Sequence, residues 1–147
     1  MITSQIMAQT SEEMHHHEHH KNEIAVANSM VLFVQEKELA YGLHLHYIRN
    51  ISHSKFGIGL AYERIFDEHG HNTIGLVGAF RPIAPLTLSL SPGLAFEDHE
   101  KDLSLALHFE TAYEFEIKNF HLGPSIEFAF DPHDVHISLG IHIGYGF

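Results

Sequence analysis

The chain has 147 residues, 44 % of them hydrophobic, which suits a single domain with a core. It has no Cys, excluding disulfides and thiolate metal centres, and no apolar run approaching the roughly eighteen residues of a helical membrane span. Nineteen acids against eight Lys and Arg give a net charge of -11, which excludes a basic footprint for nucleic acid, while sixteen His are the composition's most unusual feature.

Residues 1–22 read as the remnant of a leader followed by a tail. MITSQIMAQT looks like the end of a secretory signal, with Ala8 followed by Gln9 suited to cleavage. MHHHEHH then sets His15, His16, His17, His19 and His20 around Glu18, whose interruption argues against an engineered tag. Several imidazoles on a flexible chain satisfy tetrahedral or square-planar coordination at little geometric cost, so a disordered tail with affinity for Zn²⁺, Ni²⁺ or Cu²⁺ is expected. The composition leaves open whether that affinity serves a function or is incidental to a solvated linker. No cofactor is required by anything else in the chain.

From Glu23 onward, runs of about ten alternating residues recur with turn chemistry between them. They predict eight strands, over 23–34, 39–49, 55–66, 72–81, 86–96, 103–116, 119–130 and 135–147. The first is the least regular, and Asn28-Ser29 reads as a bulge. The second sets Leu39, Tyr41, Leu43, Leu45 and Tyr47 against Ala40, Gly42, His44, His46 and Ile48. The third sets Phe56, Ile58, Leu60 and Tyr62 against Gly57, Gly59, Ala61 and Glu63, and the same split continues down the chain. A soluble, lipocalin-like barrel would turn the large face inward. Here the opposite face is rich in Gly, Ala and Ser, which suits the crowded interior of an eight-stranded barrel, so the large face is assigned to lipid.

The connections alternate in chemistry. Gln35 to Glu38, Asp67 to His71, Glu97 to Asp102 and Asp131 to Asp134 hold ten acids and two lysines. The others, Asn50 to Ser54, Arg81 to Pro85 and Glu116 to Asn119, are short and flanked by Arg49, Lys55, Arg81 and Lys118.

The last strand, Val135 to Phe147 (VHISLGIHIGYGF), alternates without a break and stops on an aromatic residue. That ending resembles the closing strand of bacterial outer-membrane barrels. With the eight strands and the short-turn rim, residues 23–147 resemble the small outer-membrane β-barrel proteins of Gram-negative bacteria. The resemblance implies an all-β, eight-stranded antiparallel up-and-down transmembrane barrel with a disordered His-rich N-terminal tail. It also implies a monomer in the outer membrane, contact with lipid and lipopolysaccharide, and insertion by the machinery that reads a terminal Phe. With periplasmic termini the tail is periplasmic and the acidic loops, with His69, His71, His99 and His133, face outward. Their carboxylates suit divalent cations bridging to lipopolysaccharide phosphates, or plain solvation.

Such families include surface proteins, anchors, lipid-modifying enzymes and narrow passages, so the fold does not choose a function. His136-Ile137-Ser138 resembles the His-x-Ser motif of outer-membrane lipid A deacylases, with Glu127 available as the acid. Parity sends all three inward, whereas that family's catalytic residues look toward lipid. His44, His46, His108, His121, His136 and His142 share the interior with Glu63, Glu110, Glu114 and Glu127, and pairing across the last short turn brings Glu114 near His121 and His108 near Glu127. They read as an interior ion-pair network, or as a column that relays protons or holds a metal. The resulting expectation is a non-enzymatic barrel with a metal-binding tail. A purely structural or surface-interaction barrel and a lipid A-modifying enzyme are the alternatives.

Overall fold

A computed structural model of the chain describes residues 20–99, 102–132 and 134–147. The leader, the tail histidines His15, His16, His17 and His19, and His133 lie outside the described residues.

Among the described residues, alternation of large and small side chains along each run gives nine strands in one antiparallel sheet. They are β1 (Asn22–Phe33), β2 (Glu38–Asn50), β3 (Phe56–Phe66), β4 (His71–Ile83), β5 (Leu86–Glu97), β6 (Ser104–Tyr113), β7 (Phe115–Ile117), β8 (Phe120–Phe130) and β9 (Val135–Gly146). Each pairs with its chain neighbour except β6 with β7, β1 also pairs with β9, and β6 pairs with β8, so the sheet closes on itself.

β6 and β7 form one stave, because both meet β8 in the same register, Ala112 opposite Ser125 and Phe115 opposite Leu122. The ladder with β8 lapses at Tyr113 and Glu114, and the Glu114 N–H donates instead to the Pro85 carbonyl at 2.8 Å. There the backbones crowd: a Cβ on Gly123 would overlap the Tyr113 carbonyl. The barrel therefore has the eight staves expected from the sequence, the sixth interrupted at one residue.

Closure is completed at the termini, where the Asn22 N–H donates to the Phe147 carbonyl at 2.9 Å and the Phe147 N–H returns a bond to Asn22 at 2.8 Å. Pairing every edge removes the unsatisfied backbone groups that an open sheet would present to hydrocarbon.

The expected bulge at Asn28-Ser29 is absent. β1 keeps unbroken register with both neighbours through these residues. Its irregular look in sequence has two other causes. Asn28 lies on the outer face, where its carboxamide oxygen accepts from the Tyr41 hydroxyl at 2.7 Å. Val31 and Phe33 turn inward and pack on Ile65, a small apolar plug within a polar lumen. A register shift occurs instead between Phe80 and Ile83 on β4, around Pro82, which has no N–H to give the ladder.

The outer face is apolar from strand to strand: Leu60 is 58 % exposed, Leu76 64 % and Leu139 61 %. The inner face is polar and buried, with Ile48, Ala61, Val77 and Ala79 as a second apolar patch. One rim carries the termini and the short turns. The other carries the acidic connections after β1, β3, β5 and β8.

Candidate functional site

Strand parity sends twelve ionisable side chains into the lumen, and all are buried: Glu23, His44, His46, Glu63, Arg81, His108, Glu110, Glu114, His121, Glu127, His136 and His142. They form one column of contacts from rim to rim. Near the termini, Arg81 Nη2 lies 2.8 Å from Glu23 Oε2, and Arg81 Nη1 donates to Asn50 Oδ1 at 2.6 Å. His121 Nε2 then bridges Glu23 Oε1 at 3.4 Å and Glu114 Oε1 at 3.8 Å. A Cβ on Gly144 would overlap the His121 ring, so this glycine provides the room that ring occupies.

Glu114 accepts from the Thr87 hydroxyl at 2.7 Å and meets His142 Nε2 at 3.1 Å. His142 Nδ1 passes to Glu110 at 3.3 Å, and Glu110 reaches His44 Nδ1 at 3.3 Å and His46 Nε2 at 3.6 Å. His44 Nδ1 lies 2.7 Å from Glu127 Oε2. Beyond it, His108 Nδ1 lies 3.4 Å from Glu127 Oε1 and 3.5 Å from Glu63 Oε2, which is also 3.5 Å from His136 Nε2. Phe33 ends the column, its ring 5.5 Å from that of His136 and 5.1 Å from that of His71.

The charge balance is one-sided. Five carboxylates face one guanidinium among the described luminal residues, a difference of four negative charges that only six imidazoles are placed to offset. Buried carboxylates are costly unless paired, so imidazolium, or a bound cation, is needed to stabilise the ionised set. Two small cavities, of about 10 Å³ beside Glu63 and His108 and about 20 Å³ beside Glu23 and His121, are of single-water scale.

Both pairings read from the sequence, Glu114 with His121 and His108 with Glu127, are contacts in the structure. Glu23 and Arg81 were missed as members of the column. The signal was available: Glu23 shares parity with inward Ala25 and Ala27, and Arg81 with Val77 and Ala79. Their position beside turn residues concealed it.

Glu127, His136 and Ser138 are all luminal, as parity required. Ser138 Oγ has no hydrogen-bond partner, and His136 Nε2 turns to Glu63. The arrangement lacks the nucleophile-to-base contact that the deacylase reading needs.

His20 is the tail histidine among the described residues. Its carbonyl accepts from Asn50 Nδ2 at 2.7 Å, and its ring lies against Gly146, where a Cβ would overlap it. The chain thus enters the barrel over the rim that carries the termini.

At the other rim Arg64 clamps Asp98 through two bonds of 2.6 Å, and Asn72 adds one at 3.0 Å. The Arg64 and Asn72 hydrogen bonds lower the Asp98 carboxyl from 3.8 to about 2. Partial burial pushes the Asp67 carboxyl up, but bonds from the His71 and His69 backbone, together with the His71 ring at 2.8 Å, bring its net value below the ordinary one. His71, read from the sequence as a loop residue, is the first residue of β4 and also meets Glu97 at 3.3 Å.

No family model and no curated protein matches the sequence. Solved structures do. Neisserial surface protein A superposes with a TM-score of 0.63 at 13 % identity, covering 86 % of this chain and 96 % of that one. Ail of Yersinia pestis, solved in a phospholipid bilayer nanodisc, gives 0.58 at 13 % identity over 86 % and 99 %. The N-terminal barrel domain of Pseudomonas aeruginosa OprF gives 0.53 at 16 % identity over 87 % and 99 %. With its sheet closed into eight staves, the chain has the fold of the small outer-membrane β-barrels.

Proposed function

We propose that the protein is a non-enzymatic bacterial outer-membrane barrel, inserted with its termini toward the periplasm, whose His-rich amino-terminal segment captures transition-metal ions at the envelope. The observation that carries the membrane reading is the inverted distribution of side chains. Leu76 and Leu139 are mostly exposed, while Glu127 and His46 are buried. Water would leave the apolar belt unstable, at a cost of about 1.5–3 kcal/mol for each such side chain relative to burial, whereas hydrocarbon solvates it. Ail, which shares this fold, was solved in a phospholipid bilayer nanodisc, which supports the same setting here.

The metal reading rests on His15, His16, His17, His19 and His20, consecutive in sequence but for Glu18, of which His20 sits on Gly146 at the mouth of the barrel. Zn²⁺, Ni²⁺ and Cu²⁺ all suit an imidazole cluster.

A surface-interaction role is the second reading. It is favoured by the Arg64, Asn72 and Asp98 clamp, which ties the connection after β5 to the start of β4 and holds an acidic rim in place. Outer-membrane lipid and lipopolysaccharide are the partners that setting supplies.

Fractionation and heat-modifiable gel migration test the location, and recovery with soluble proteins would overturn it. Zn²⁺ and Cu²⁺ titration of the chain with all five tail histidines replaced by Ala tests the capture. Loss of at least one class of sites is expected, and unchanged binding would remove this role.

A further inference from the structure

The luminal column is not uniform. At Glu63, His108, Glu127 and His136, one N or O atom of each residue lies within 4.8 Å of one from each of the others. All four residues are at least nine-tenths buried. Their converging atoms, Glu63 Oε2, His108 Nδ1, Glu127 Oε1 and His136 Nε2, have no hydrogen-bond partner. Buried polar atoms are ordinarily satisfied, so four orphans facing one another call for a missing group.

Distance identifies the group. The contacts among these atoms are 3.4, 3.5 and 3.5 Å. A charge-assisted hydrogen bond between imidazolium and carboxylate is shorter, about 2.7–2.9 Å. Zn²⁺ bonds of about 2.0–2.2 Å place tetrahedral ligand atoms about 3.3–3.6 Å apart, the spacing of these three contacts, and all four residues offer an atom within 4.8 Å of the others. Two imidazoles and two carboxylates suit that ion, and the two negative charges balance it.

The surroundings favour this position over its neighbours. His44 Nδ1 lies 2.7 Å from Glu127 Oε2, which leaves Glu127 Oε1 as the oxygen nearest His108. A second group, Glu23, Glu114, His121 and His142, already has the Arg81 guanidinium 2.8 Å from Glu23, a charge that repels cations. The third, His44, His46 and Glu110, offers only three ligands.

We propose that Glu63, His108, Glu127 and His136 form a tetrahedral Zn²⁺ site inside the barrel, separate from the amino-terminal histidines. Because the lumen is filled, the ion enters as the staves close around it, which couples loading to folding.

The test uses the full chain with His15, His16, His17, His19 and His20 replaced by Ala, so that the tail cannot contribute and its own role is judged separately. It is refolded into detergent with Zn²⁺ and dialysed. About one zinc per chain is expected by elemental analysis, with an anomalous-scattering peak among the four side chains. Refolding with Co²⁺ should give the intense visible absorption of a tetrahedral ion. His136→Ala, with folding verified by heat-modifiable migration, should weaken retention by roughly 10-fold or more. The anomalous map requires no luminal substitution, so it decides even if that variant does not fold. A folded barrel without a luminal peak overturns the site, as does a folded His136→Ala barrel that keeps the same zinc.

Discussion

The two faces of each strand solve opposite problems with the same backbone. On the outer face, Leu60 and Leu76 stand opposite each other across β3 and β4 and need only a solvent that tolerates hydrocarbon. On the inner face, Glu63 and its neighbours need specific partners, and the contacts that supply them join four different strands within ion-pairing reach. The apolar face is therefore interchangeable, residue by residue, whereas the polar face is a single connected object. Substitutions should separate them accordingly.

The largest effect is expected in the lumen. Glu127→Ala removes the carboxylate shared by His44 and His108 and leaves both imidazoles without it. Breaking a buried pair from one side costs about 3–5 kcal/mol, so the urea midpoint of unfolding from detergent or vesicles should fall sharply. A shift no larger than that of a surface substitution would show that the column is not one object.

On the outer face, Leu60→Arg places a charge near the middle of β3, facing lipid. A cost of about 2–4 kcal/mol is expected for insertion at mid-bilayer, read from folding into vesicles, whereas Leu60→Val should be nearly silent. Equal tolerance of Arg and Val would contradict the assignment of this face to lipid.

The smallest effect belongs to the exposed rim. Asp98 is held ionised by Arg64, with its carboxyl lowered from 3.8 to about 2. A depressed value stabilises the folded state above the ordinary carboxyl value and loses that contribution as pH falls through the depressed one. The clamp should thus persist at pH 4 and be released only as pH approaches about 2, followed through the Arg64 side-chain NMR signals. Release near pH 4 would mean that the clamp does not form in solution. Solvent screening keeps its effect on global stability slight.

Much of the barrel was legible in the chain because its strands carry the two-residue period openly. His44, His46 and Glu63 were placed inside, and Tyr41 and Leu60 outside, from parity alone. β1 was harder to read, since an outward Asn28 and inward Val31 and Phe33 invert the usual assignment of polar and apolar. Tyr41 satisfies the first, and Ile65 packs against the other two. The interruption at Glu114 follows from its approach to Gly123 across the sheet, a relation between strands that no single run displays.

Local pattern determined the stave count, the facing of most residues, the two chemically distinct rims and the sealing role of the last strand, because each depends on a residue and its near neighbours. Tertiary closure decided which imidazole meets which carboxylate. It drew Glu23 and Arg81 into the column, set His20 against Gly146, and brought Glu63 of β3 to His108 of β6, Glu127 of β8 and His136 of β9. Across a lumen this narrow, side chains from non-adjacent staves touch, and that convergence exists only once the cylinder is closed.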